Sequence, residues 1–372
     1  PIPSCNFANQ TTLPDPTNIS ITSSTPTLSA NLVSSAMRSS SSAIAVSPDG
    51  RVAVAVNPDS GTVTVVEVST LQTLGEISTG SDPRTLAITP DSHLAVIANH
   101  GDATVSVIDL NVLVNNATIR VGSMPYGVVT NGSYVFVAEL AAGNIGIYNM
   151  ITGEDIFSIA VAPFPAGLAL SNEGETLYVS HLHSGQVTII NLQTLAVVST
   201  ASTGSDSNLS QSITLTPDGT KAYLPQTRSN VTVVARTFDS TVFPVVNVLD
   251  LQTQTLLSRE RITLDTADRP VNMPFETKFS PTGDTLYVAN AGSNDISVID
   301  LSTNLSRGNI EVGANPRGLA ITPDGALLFV NNVLEGTLSV VDTANLRTIN
   351  TVPITKIPLN PQELLGKQLF NS

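Results

Sequence analysis

The sequence predicts an all-β fold, a seven-bladed β-propeller of four-stranded antiparallel blades, with an N-terminal extended arm and a short C-terminal helix. Three observations predict it. One phrase recurs seven times, the recurrence keeps a period near 42 residues, and each copy holds four strand-like segments. The clearest copy, RGLAITPDGALLFVNNVLEGTLSVVDTANLRTINTVPIT, runs from Arg317 to Thr355. An acidic or amide residue near the end of each third segment serves as a ruler. It falls at Glu67, Asp109, Asn149, Asn191, Asp250, Asp300 and Asp342, with gaps of 42, 40, 42, 59, 50 and 42. That period is the length of a propeller blade, and seven copies make the ring.

The segments are short, rich in Val, Ile, Thr and Tyr, and punctuated by Gly, Pro, Asn and Asp, which marks them as strands. TVTVVEV (Thr62 to Val68), TVSVIDL (Thr104 to Leu110) and DISVIDL (Asp295 to Leu301) alternate small or polar with apolar side chains. That period of two puts one set on each face of a sheet. The turns have their own chemistry. In SPDG (Ser47 to Gly50) and TPDG (Thr216 to Gly219, Thr322 to Gly325) proline presets φ, aspartate accepts local backbone hydrogen bonds, and glycine takes the positive φ. A lone blade cannot cover both of its faces; stacking seven around an axis covers them all. Long helical periodicity is absent from Ala43 to Thr355.

LYVAN (Leu286 to Asn290), LFVNN (Leu328 to Asn332), LYVSH (Leu177 to His181) and AVIAN (Ala95 to Asn99) each follow a turn. On these residues the repeats resemble the YVTN family of β-propeller repeats of secreted and surface proteins of bacteria and archaea. The resemblance implies the fold specifically and the function only broadly, because such propellers serve as adhesins, scaffolds, lactonase-like enzymes and partners of redox domains. The chain has no Trp, so the WD dipeptide, the Asp-box and the tryptophan-docking quinoprotein motifs do not apply.

Net charge is −14, and the four lysines all lie at or after Lys221, so no nucleic-acid partner is expected. Charged residues make up only 12% of the chain, and the chain starts at Pro1 without Met. Both fit a prokaryotic secreted or cell-surface protein whose signal peptide has been removed. No apolar run approaches the ~18 residues of a membrane span. Cys5 is the only cysteine, which leaves a free thiol or an interchain bond.

Three regions follow: an arm over 1–41, the propeller over 42–355 and a helical tail over 356–372. The arm is Ser/Thr/Pro-rich, a composition that does not fold by itself. Its best strand-former is TNISITSS (Thr17 to Ser24), with Thr17, Ile19 and Ile21 as candidate assembly residues. Two readings of it stand: it folds back onto its own blades, or it adds to an edge strand of a neighbouring molecule. In the tail, Asn360 suits an N-cap, Pro361 the first helical position, and Glu363 completes a capping box. The helix extends to about Phe370, with Leu364, Leu365 and Leu369 on its apolar side; they either pack on the ring or serve as further assembly candidates.

The phrase ELLGKQLF (Glu363 to Phe370) resembles the opening of cytochrome c peroxidase/MauG-like di-haem domains, often fused after such propellers. In that family C-x-x-C-H soon follows and binds haem. This sequence contains no C-x-x-C-H, so the family's catalytic residues have no positions here.

The two enlarged ruler spacings fall around Thr227 to Pro244 and Ser258 to Asn272, in loops expected on the face of the channel mouth. They carry Arg228, Arg236, Arg259, Arg261 and Arg269, a candidate interaction face, locally neutral on an acidic body. The opposing reading is a solvated, salt-bridged loop. Candidate mouth residues are Arg84 and Arg317, each in a D/N-P-R phrase, and His100, His181 and His183. The histidines either join a metal site, which lacks further evident ligands, or bond locally within loops. No nucleophile arrangement, paired carboxylates, phosphate-cradling loop or calcium loop emerges, and no catalytic, cofactor or metal residue is assigned. The expectation is a non-enzymatic extracellular or cell-surface structural protein that self-associates into a filament or array through its terminal extensions, or binds another surface protein. The alternatives are the propeller of a di-haem peroxidase-like enzyme and a lactonase-like enzyme.

Overall fold

The computed structural model describes residues 39–229, 242–264 and 270–371. Blade 1 comprises β1 (Ile44–Val46), β2 (Val52–Asn57), β3 (Thr62–Glu67) and β4 (Thr73–Ser78). Blade 2 comprises β5 (Pro83–Ile88), β6 (Leu94–Asn99), β7 (Thr104–Asp109) and β8 (Val114–Arg120). Blade 3 comprises β9 (Pro125–Thr130), β10 (Tyr134–Glu139), β11 (Asn144–Asn149) and β12 (Asp155–Ala160). Blade 4 comprises β13 (Pro165–Leu170), β14 (Thr176–His181), β15 (Gln186–Asn191) and β16 (Ala196–Ser202).

Blade 5 is irregular. Its long β19 (Lys221–Ser229) pairs with β17 (Ser207–Asn208) and β18 (Thr214–Leu215), while β20 (Val242–Asp250) pairs with β19, β21 (Thr255–Leu256) and β22 (Ile262–Thr263). Blade 6 comprises β23 (Pro274–Phe279), β24 (Thr285–Asn290), β25 (Asp295–Asp300) and β26 (Leu305–Glu311). Blade 7 comprises β27 (Pro316–Ile321), β28 (Leu327–Asn332), β29 (Thr337–Asp342) and β30 (Arg347–Pro353), after which comes the helix α1 (Pro361–Phe370). The predicted seven-bladed propeller is thus present, and among the described residues the short C-terminal α1 is the only helix.

Every ruler residue is the last residue of a third strand, and the hydrogen bonds explain why. Asp109 Oδ1 accepts from the N–H groups of Asn111 and Val112, and Asn149 Oδ1 from Ile151 and Thr152. Asp342 Oδ1 likewise accepts from Ala344 and Asn345. The side chain closes the hairpin to the outer strand, as Asx turns do. Backbone and side-chain hydrogen bonds hold the carboxyls of Asp109 and Asp342 below the usual range. The Pro-Asp-Gly turns behave as read: Asp324 accepts from Ala326 N–H, and Gly325 sits at φ 75°.

The asparagine that ends each LYVAN-type phrase ties the second strand to the third. Asn290 Nδ2 donates to Asp295 Oδ1 and Ser297 Oγ at 2.7 and 2.8 Å; Asn332 Nδ2 donates to Thr337 Oγ1 and Ser339 Oγ at 3.1 and 2.9 Å. Asn57 and Asn99 make the same two bonds.

Middle strands are buried on both faces because each blade is sandwiched. TVSVID of β7 is covered along its whole centre, whereas the outer β8 exposes most of its residues. Each junction between blades holds its own apolar cluster. At the closing junction Ile44, Ala53, Ala55 and Val66 of blade 1 pack on Phe329, Leu338, Val340 and Val352 of blade 7. Burying one such Val, Leu or Ile contributes roughly 1.5–3 kcal/mol. Among the described residues every blade is built from consecutive strands, and none is exchanged across the closure. Polar links reinforce it instead: Asn331 Nδ2 donates to the carbonyls of Ala43 and Val56, and Thr64 Oγ1 to that of Ile354.

Candidate functional site

The inner strands of blades 2, 3, 4, 6 and 7 begin with a proline, preceded by a non-glycine residue in the left-handed region. These are Asp82, Met124, Phe164, Met273 and Asn315, with φ between 50° and 58°; Leu209 of blade 5 is their counterpart at 59°. Left-handed backbone costs an L-residue about 1–2 kcal/mol. The repetition has a visible compensation. The carbonyls of Asp82, Met124, Phe164, Met273 and Asn315 accept N–H bonds from His100, Leu140, Leu182, Ala291 and Val333, just past the second strand of the same blade.

This kink delivers the next side chain but one to the axis: Arg84, Tyr126, Ala166, Gln211, Phe275 and Arg317. All but Ala166 line a small cavity of about 20 Å³ at the mouth of the channel. Arg84 donates from Nε and Nη2 to Asp82 Oδ2 at 3.0 and 2.8 Å, and Tyr126 Oη donates to Gln211 Oε1 at 2.8 Å. Arg317 stacks on Phe275, its guanidinium carbon 5.1 Å from the ring centroid. Its Nε donates to Asn315 Oδ1 (2.6 Å) and its Nη2 to Asn371 Oδ1 (3.0 Å), just beyond α1. Burial, first, and Arg84 nearby lower the Arg317 pKa; burial raises that of Tyr126.

One residue further along each inner strand, the ring is knitted from blade to blade. Thr85 Oγ1 donates to Tyr126 O (2.7 Å) and Ser212 Oγ to Phe275 O (2.9 Å). The corresponding glycines allow closer approach: a Cβ on Gly127 would lie 2.1 Å from Ala166 O. In blade 6 this position is Glu276, buried, whose carboxyl group accepts from the Leu319 backbone of blade 7 and from Ser42 Oγ at 2.9 Å. Burial pushes its pKa up to about 8, against smaller lowering effects from Ser42, Lys278 and Leu319. The sequence reading missed Glu276. Its signal is a lone charged residue in a register that elsewhere holds Thr85, Gly127, Gly167, Ser212 and Gly318.

The channel itself is filled by the chain. Ser39–Ser42 run antiparallel to the inner strands, with bridges from Ser40 to Ala169 of blade 4 and from Ser42 to Leu86 of blade 2. Ser41 N–H donates to Leu168 O (2.9 Å), and Ser42 exchanges both backbone bonds with Leu86. The chain therefore ascends the axis, reverses at Ala43 and descends as β1. It separates the mouth from a cavity of about 400 Å³ at the opposite end, lined by Ser39, Thr214, Lys278 and the turn prolines Pro48, Pro281 and Pro323.

The histidines do not converge. His181 is buried at the LYVAN asparagine position and uses both ring nitrogens, Nδ1 on Pro163 O (3.0 Å) and Nε2 on Thr188 Oγ1 (2.8 Å). His100 Nδ1 lies 3.2 Å from Pro125 O with its ring edge-on to Tyr126, and exposed His183 packs edge-on to Phe164. Burial lowers the pKa of both His100 and His181. Among the described residues no cluster of His, Cys, Asp and Glu could hold a metal ion.

The larger insertion lengthens β19 and β20 on the mouth side, where Ser229 pairs with Val242. Arg228 forms an ion pair with Asp206, Arg261 Nε donates to Asn247 Oδ1 (2.6 Å), and Arg259 is exposed. Arg236, Arg269, Thr17, Ile19 and Ile21 lie outside the described residues. Asn360 caps α1, accepting from Gln362 and Glu363 N–H, while Glu363 Oε2 accepts from Asn360 N–H, the capping box read from the sequence. Lys367 pairs with Asp59 of the β2–β3 loop, which sets α1 beside the mouth. Leu364 is half-buried, while Leu365, Leu369 and Phe370 are 54%, 68% and 88% exposed. No helix among the described residues is long and apolar enough to cross a membrane.

Fold and site define a seven-bladed propeller whose axis is occupied by its own chain and whose mouth is lined by paired polar groups. The family model for YNCE-like β-propellers matches residues 20–220, more than half of the sequence, and the chain belongs to that family. No curated protein sequence matches it. Among solved structures it is similar to Kuenenia stuttgartiensis hydrazine synthase, at 20% identity and TM-score 0.75, covering 81% of this chain and 95% of that one. It is also similar to the Cps50 (Swd1) β-propeller domain of Myceliophteria thermophila, at 13% identity and TM-score 0.63, covering 82% and 97%. At these identities the likeness is one of fold.

Proposed function

We propose that this chain is an extracellular or cell-surface propeller that acts by binding, and that its partner is a second copy of itself. The carrying observation is how the mouth face is used. Segment 39–42 and the paired mouth side chains occupy the axis, while the lengthened blade 5 hairpin and the apolar Leu365, Leu369 and Phe370 stand outward on that side. An arginine-bearing insertion on a body of net charge −14 offers complementarity between copies. Sedimentation velocity across a concentration series tests this. Wild type should show concentration-dependent assembly, and Leu365→Glu with Phe370→Glu should reduce it; a monomer throughout would refute the proposal.

A second reading rests on ELLGKQLF, which forms α1 beside the mouth. It makes the propeller one module of a redox enzyme, and one structural neighbour carries the name hydrazine synthase. Sequencing the gene beyond Ser372 tests it: an in-frame C-x-x-C-H supports this reading, and a stop codon counts against it.

A further inference from the structure

We infer that the channel mouth is a binding site for a single carboxylate group, held by Arg317 and occupied in this conformation by the protein's own Asn371. The inference is independent of which protein docks on the face. Three charged side chains line the mouth cavity: Arg84, Glu276 and Arg317. Arg84 is neutralised by Asp82, and Lys367 of the neighbouring helix by Asp59. Glu276 is turned to Ser42 and the Leu319 backbone, and its buried carboxyl holds a proton at neutral pH. Arg317 is left as the odd cation.

Its direct contacts are uncharged, the amide oxygens of Asn315 and Asn371 and the face of Phe275, while the carboxylates of Asp82 and Asp59 act on it from beyond contact and are already paired with Arg84 and Lys367. A partly buried guanidinium favours a carboxylate over a neutral amide, because the charged acceptor makes the stronger bond and offsets the cation's charge. The site also has an internal stand-in. Asn371 Nδ2 donates to Lys367 O at 2.7 Å, which fixes the amide orientation and aims Oδ1 at Arg317 Nη2. That oxygen sits where one oxygen of an incoming carboxylate would bond. The mouth cavity, at about 20 Å³, holds little more than a water molecule, so the carboxylate takes the place that Asn371 leaves and its carrier extends outward past α1. The contacts that hold α1 here include one ion pair and one hydrogen bond, and none of its residues is buried. Displacing Asn371 is thus a local event that leaves the ring intact.

The test is equilibrium dialysis of the full chain with radiolabelled acetate at constant ionic strength set by chloride. The expected result is one saturable site, tightened about fivefold or more in Asn371→Ala, where the internal competitor is gone. Binding should be lost in Arg317→Met and weakened in Arg317→Lys. Asn371→Ala lies outside the ring and keeps the test valid if Arg317→Met fails to fold. A tripeptide with a free C-terminal carboxylate, set beside its amide, separates the sources. Competition with acetate by the free acid alone points to a peptide terminus, and competition by neither peptide to a small free acid. No saturable acetate binding in wild type and Asn371→Ala, or binding undiminished in folded Arg317→Met, overturns the inference.

Discussion

Glu276 offers a perturbation whose sign and size both follow from its position. Its carboxyl is fully buried between Ser42 and blade 7, and its pKa rises from 4.5 to about 8. In the unfolded chain the group loses its proton near the ordinary value; in the folded protein it keeps it to about 8. Between those pH values the unfolded state binds fewer protons, so stability falls as pH rises, and the loss is complete above the folded value. At about 1.4 kcal/mol per pH unit, the shift amounts to roughly 4–5 kcal/mol. Glu276→Gln keeps the shape and an acceptor oxygen but cannot ionise. Urea denaturation of both proteins from pH 5 to pH 9 measures the difference, in which all other titrations cancel. The variant and wild type should match near pH 5, and the variant should be the more stable by several kcal/mol at pH 9. A difference that stays constant across the range would falsify the assignment of Glu276 as a buried, protonated brace.

Three further substitutions probe the repeat. Asn290→Ala removes two buried hydrogen bonds at the β24–β25 turn and should cost about 1–3 kcal/mol in the same urea assay; an unchanged midpoint would show that the tie carries no stability. Gly127→Ala places a methyl 2.1 Å from Ala166 O at the axis and should cost roughly 1–3 kcal/mol, read as a lowered melting temperature. His181→Asn restores the residue found at 57, 99, 290 and 332 and should fold with near-wild-type stability; a loss beyond ~2 kcal/mol would mean that the imidazole has a role an amide cannot fill.

The parts of the fold legible in the sequence are those that repeat. The ruler residues were visible because an Asx-type cap closes six of the seven third-strand ends, Glu67 being the exception, and the Pro-Asp-Gly turns because φ and side-chain acceptance dictate the residue types. The helix could be read from Asn360, Pro361 and Glu363 for the same local reason. What escaped the reading is set by tertiary position. Ser39–Ser42 carry no alternation of apolar residues, since their partners in the channel are backbone groups of blades 2 and 4 and the Glu276 carboxyl of blade 6. The mouth positions Arg84, Tyr126, Ala166, Gln211, Phe275 and Arg317 share a place and no chemistry, so no pattern announces them; the two arginines were noticed only through their D/N-P-R phrase. His181 aligned with the LYVAN asparagines in plain view, and that alignment accounts for it as a hairpin tie.

Imaging the purified full chain by negative-stain electron microscopy, with intact mass on the same sample, tests the self-binding account most directly. The account predicts ordered assemblies of propeller rings that Leu365→Glu with Phe370→Glu disperses. Single, separate rings at every concentration, unaffected by those substitutions, would contradict it.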